Sequence, residues 1–144
     1  MPTSDGISDS DWDLVQQQAE YIADANLKGT DDRLLTSNLL QLLQTLERKY
    51  GRLPSLLATQ ADFVPDKTKE LSLLKEAYII SMETNDNKNK TYISDSIVQW
   101  YLDNGYEKEI LKFWLDRLLD DLKNHKDTAS LLLYEKGLLA LSSN

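Results

Sequence analysis

The sequence predicts an all-α protein of about seven helices arranged in antiparallel hairpins. Three observations carry this expectation. Apolar residues recur at spacings of three and four rather than alternating, which is the helical period. The five glycines and three prolines fall mostly where a helical pattern starts or stops. Hydrophobic residues make up 41% and charged residues 28%, a globular balance that excludes wholesale disorder. A chain of 144 residues fits one domain, 1–144, able to bury a core without disulfide or metal staples.

The first helix is expected over about 11–27, after a flexible segment 1–10, with Trp12, Val15, Ala19 and Ile22 inward and Asp13, Glu20 and Asp24 outward. The second, about 31–50, carries Leu35, Leu39, Leu42, Leu43 and Leu46, with Asp31 or Asp32 as N-cap. Pro54 suits the first turn of a third helix, about 54–63, carrying Leu57, Ala58, Ala61 and Phe63. A fourth, about 67–83, presents Leu71, Leu74, Ala77, Tyr78 and Met82. The polar run Thr84–Lys90 reads as the clearest loop. Beyond it, a helix over about 91–103 places Ile93, Ile97, Trp100 and Tyr101 on one face. The sixth, about 106–123, aligns Leu111, Trp114, Leu115, Leu118 and Leu122. The last, about 127–142, carries Leu131, Tyr134, Leu138 and Leu141.

A repeat of roughly 38–40 residues runs through this order, giving hairpins over about 11–50, 54–83 and 91–123. Its clearest copy lies in residues 92–122: Trp100-Tyr101-Leu102-Asp103-Asn104-Gly105-Tyr106, then Ile110 and Trp114. An aromatic ends one helix, a glycine makes the turn, and large residues follow along the next. This resembles the tetratricopeptide repeat, with fainter copies over 61–78, carrying Leu71, Leu74 and Tyr78, and over 19–46, carrying Tyr21, Gly29 and Leu39. The resemblance implies a right-handed stack closed by a C-terminal capping helix over 127–142. It further implies a partner-binding concave face lined by the first helix of each hairpin: Tyr92, Asp95, Gln99 and Asp103, and a more apolar patch around Pro54, Leu57 and Ala61. The family's basic clamp for a peptide carboxylate has no match, the corresponding positions being acidic or neutral. Leu115 and Leu118 stand where that family usually carries small residues.

Charge is concentrated at one end. Residues 1–32 hold Asp5, Asp9, Asp11, Asp13, Glu20, Asp24, Asp31 and Asp32 against Lys28 alone, accounting for −7 of the net −8. Such a surface repels nucleic acid and anionic membranes and attracts a basic protein. Asp13, Glu20, Asp24, Asp31 and Asp32 are therefore candidate partner-binding residues. Acids before or within the first turn also suit the helix dipole, which accounts for three or four of Asp5, Asp9, Asp11 and Asp13 but not for Glu20 and Asp24.

The chain has no cysteine, which removes disulfides and thiolate ligands and favours a reducing compartment such as the cytoplasm. The N-terminal sequence lacks the basic and apolar regions of a signal peptide, and no apolar run approaches a membrane span. His125, the sole histidine, lies among Lys123, Asn124 and Lys126 and reads as a surface residue. A histidine triad or multi-histidine metal site cannot be built from it. Asn85-x-Asn87-x-Asn89 fails as a calcium loop, with Lys90 where glycine is needed and Ser96 where glutamate is needed. Asn89-Lys90-Thr91 matches a glycosylation sequon by coincidence of composition. Asp116, Asp120 and Asp121 beside Arg117 and Lys123 read as a solvated face. No cofactor or metal is expected.

The functional expectation is a non-catalytic protein-interaction module with a basic partner, similar to the small acidic immunity proteins and antitoxins that mask basic toxins. Two alternatives come from other classes. One is a homodimer or structural assembly through Leu131, Tyr134, Leu138 and Leu141, with Gly137 permitting close approach. The other is a hydrolase with two carboxylates facing each other across a cleft.

Overall fold

Helix caps written into the sequence set the boundaries seen in the computed structural model, which describes residues 3–143. These residues form α1 (Asp9–Leu27), α2 (Arg33–Tyr50), α3 (Pro54–Phe63), α4 (Lys67–Glu83), α5 (Asn87–Asn104), α6 (Lys108–Asn124) and α7 (Thr128–Ser142). No strand occurs among the described residues. Ser8 starts α1 by accepting from the Asp11 N–H, Asp66 starts α4 through Thr68 and Lys69, and Asp127 starts α7 through Ser130. Two aspartates share the start of α2. Asp32 occupies the cap position without a side-chain bond, while Asp31 Oδ1 accepts from the Arg33 N–H at 3.0 Å.

The expected loop at 84–90 is largely helical. Asn85 takes a left-handed φ of 55°, ending the connection after α4, and Asp86 caps α5 by accepting from the Asn89 N–H. Asparagine and aspartate compete with helix interiors but support helix ends, so a run of them marks a boundary rather than a long loop.

Each helix packs on the one that follows it, and α3 also touches α5, as α5 touches α7. Two apolar cores result. Ile7, Val15, Ile22, Leu39, Leu43, Leu46 and Leu56 form the smaller one. The larger draws on α3 to α7 and includes Leu57, Ala77, Ile93, Ile97, Leu111, Leu115 and Leu118. The ten-residue α3 serves both, turning Leu56 to one and Leu57, Ala58 and Ala61 to the other. Its small alanines, Ala58 and Ala61, leave room for close packing on the side of the larger core.

Several expectations are corrected. Residues 3–8, expected to be flexible, are packed: Thr3 and Ile7 are buried, and Asp5 Oδ2 accepts from the Ser55 N–H at 2.7 Å, satisfying a free donor of the first turn of α3. Residues 1 and 2 of the expected flexible segment lie outside the described residues. Met82, expected inside, is exposed, whereas Leu73 and Ser81 on the same helix are buried. Asp121 is not on a solvated face. It lies three residues after Leu118, on the buried side of α6, where its Oδ2 receives Tyr78 Oη (2.8 Å) and Ser94 Oγ (2.9 Å). Burial holds its carboxyl above the ordinary range against the pull of the two hydroxyls.

The inward face of α7 also differs from expectation. Ser130, Leu133 and Gly137 are buried, Tyr134 and Leu141 rest against the larger core, and Leu131 and Leu138 are exposed. Only half of the apolar set expected to form a dimer surface is therefore available. Gly137 makes its close approach within the chain, where a Cβ would press into the Leu115 side chain of α6. No described helix is long and apolar enough to cross a membrane.

Candidate functional site

Between α1 on one side and α5 with the start of α7 on the other runs a groove of about 600 Å³, floored by α3. Trp12 and Gln16 form the α1 wall, four residues apart and so on one helical face. Ser55, Ala58 and Thr59 supply the floor. Asn89, Tyr92 and Asp95, at i, i+3 and i+6 of α5, face them together with Asp127 and Ser130. The expected apolar patch of α3 is elsewhere: Pro54, Leu57 and Ala61 are buried, because α3 spends that face on packing.

Of the candidate residues drawn from charge and from the repeat resemblance, Tyr92 and Asp95 line this groove. Asp13 and Glu20 stand three residues before and four after Gln16 and are exposed on α1 within a turn of the Trp12–Gln16 wall, without lining the groove themselves. Tyr92 and Asp95 line the opposite wall directly, and Gln99 and Asp103 continue that face of α5 beyond the groove, joined by a 2.8 Å hydrogen bond. Other acids of the first quarter are occupied locally. Asp24 pairs with Lys28 (2.9 Å), Asp31 with Arg33 (2.7 Å) and Asp11 with Lys49 (2.7 Å). Asp31 and Asp32 belong to the α1–α2 connection and do not line the groove. None of the ion pairs among the described residues engages Asp13, Glu20 or Asp95.

The groove's most unusual chemistry lies at Ser130. Its hydroxyl is 2.6 Å from Asp95 Oδ2 and 2.8 Å from Asp127 Oδ2, and it has one proton to donate. Asp127 also accepts from the Ser130 backbone N–H at 3.0 Å. The two carboxyls are pushed apart accordingly. Hydrogen bonds from Ser130 hold Asp127 below the usual carboxylate range, while burial raises Asp95, with the charge of Asp127 adding to the rise. Asp95 and Asp127 stand side by side on one wall rather than facing each other across the cleft. No group of three or more metal-ligating side chains is assembled among the described residues.

Several lining residues were not singled out from sequence. Gln16 was one turn from Trp12, and Asp127 and Ser130 carry the cap signature of α7, but nothing in the sequence tells which cap faces a groove. His125, expected to be a surface residue, is exposed and reaches the groove's edge. Trp12, expected in the core, is half-buried and divides itself between the smaller core and the groove.

No protein-family model matches the chain, and the searches of curated proteins and of solved structures likewise return no match.

Proposed function

We propose that the chain is a non-catalytic interaction module, of tetratricopeptide-like architecture, that binds a basic segment of a protein partner in the groove between α1 and α5–α7. The single observation supporting this reading is that Tyr92 and Asp95 of α5 face a groove whose α1 wall, Trp12 and Gln16, lies within a turn of the exposed acids Asp13 and Glu20. Half-buried Trp12 and exposed Tyr92 add aromatic surface, the residue class that dominates binding hot spots. The succession of helix contacts, each on the next with α3 on α5 and α5 on α7, supports the repeat-like arrangement. An immunity protein or antitoxin masking a basic toxin is the biological form that fits, in a reducing compartment such as the cytoplasm. Nucleic acid and anionic membrane are disfavoured by the same charge.

Reversal of Asp13, Glu20 and Asp24 to lysine tests the reading. Association with a basic partner should slow by roughly tenfold or more at low salt, the gap closing as salt is raised. Unchanged association at every salt concentration would remove this face from consideration.

A second reading, self-association through α7, draws on the exposure of Leu131, Leu132, Leu138 and Leu139. Light scattering that finds a monomer at high concentration would eliminate it.

A further inference from the structure

The groove is interrupted. Ser4 and Lys88 line it and also line a second cavity, of about 430 Å³, whose other walls include Asp5, Pro54, Ile80 and Asn87. Residues 3–5 therefore stand as a bar between two hollows that share the N-terminal ends of α3 and α5.

The bonds holding this bar are replaceable. Ser4 Oγ donates to Asp86 Oδ1 (2.7 Å), Asp5 Oδ2 accepts from Ser55 N–H (2.7 Å) and Asn89 Nδ2 (3.3 Å), and Ser8 N–H donates to Tyr50 Oη (3.2 Å). Most partners keep a second bond without it. Asp86 still receives the Asn89 N–H and, at 2.8 Å, Asn89 Nδ2, while Tyr50 Oη still donates to Asp11. The Ser55 N–H is left facing water in a helix first turn, where such donors are ordinarily solvated. The closed position has its own defect: Thr3 Oγ1 and Asp5 Oδ1 are buried without a hydrogen-bond partner among the described residues. Buried polar atoms left unpaired destabilise the state that buries them. Ile7, inserted in the smaller core, is the main apolar anchor.

We propose that residues 3–8 form a displaceable strap that closes the middle of one longer groove in the free protein. Resting on the groove-binding reading, its release joins the two cavities into a channel from the start of α7 to the α4–α5 turn. A partner segment then competes with the protein's own N-terminal segment for that channel.

Because the chain has no cysteine, single thiols report the opening cleanly. Thr3→Cys and Ile7→Cys, at 4% and 5% exposure, probe the strap, and Ser81→Cys, at 0%, probes the larger core. With Ellman's reagent as probe, both strap thiols should react at least about tenfold faster than the core thiol, at rates insensitive to low urea, as local opening requires. Adding Asp5→Ala should accelerate both further. A common rate with a common urea dependence at all three positions would overturn the strap, because it would then leave only by global unfolding. Either strap reporter suffices if the other fails to fold. The measurement involves no partner, so failure of the groove-binding reading would appear in the charge-reversal experiment and leave these rates untouched.

Discussion

At the level of single residues, Gly137 and Asp121 show what packing demands. A glycine inside α7 costs about 1 kcal/mol of helix propensity relative to alanine. Gly137→Ala would recover that and lose more, because the new methyl collides with Leu115; overpacking of this kind costs about 1–3 kcal/mol. A net loss of stability in urea unfolding is expected, and a gain would contradict the close approach of α6 and α7. Asp121 makes a prediction about pH. Burial lifts its folded-state carboxyl above the ordinary aspartate range, so the folded state favours its protonated form. Its contribution to stability is greatest below the unfolded value and falls as pH rises through the folded one, then levels. Asp121→Asn removes that component. Relative to wild type, the variant's stability should therefore improve as pH is raised from the unfolded-state value through the folded one and become constant above it. A difference that does not vary with pH would contradict the assignment.

Among the elements, helix existence and inward faces were legible because period and caps are local. Helices α3 and α4 occupy their expected ranges, and all five residues assigned to the inner face of α6 are buried. The misjudged places depend on long-range partners. Residues 3–8 have no periodicity and are held by Ser55, Tyr50 and Asp86, which sequence alone does not bring near them. The face of α7 turned inward depends on where Leu115 stands, and its leucines lie on every side of the helix. Asp86 caps α5 and also holds Ser4, so Asp86→Ala should cost about 1 kcal/mol or more and expose the first turn of α5. Faster amide exchange at Asn89 than in wild type checks this, and unchanged exchange would argue against the cap. Along α1 the acids are unequal. Asp24 is already paired with Lys28, so Asp24→Lys should slow binding of a basic partner less than Asp13→Lys or Glu20→Lys does. Equal effects of the three would indicate that only total charge matters.

For the molecule as a whole, the sequence located the acidic excess on the first helix and its approach but not which of those acids the fold would pair. Folding partitions it: Asp5, Asp11, Asp24 and Asp31 are bound within the chain, and Asp13 and Glu20 stay exposed on α1, in none of the ion pairs among the described residues. The groove could not be read from sequence because its walls come from α1, α3, α5 and α7, from Trp12 at one end of the chain to Ser130 near the other. Whether this groove receives basic chain can be read from chemical-shift mapping with a hexa-arginine peptide as probe. Perturbations should concentrate at Gln16, Tyr92, Asp95, Ser130 and the Trp12 indole, and should be lost in Asp13→Lys/Glu20→Lys. Perturbations spread over acids remote from the groove, such as Asp116 and Asp120, or retained in that variant, would contradict groove binding.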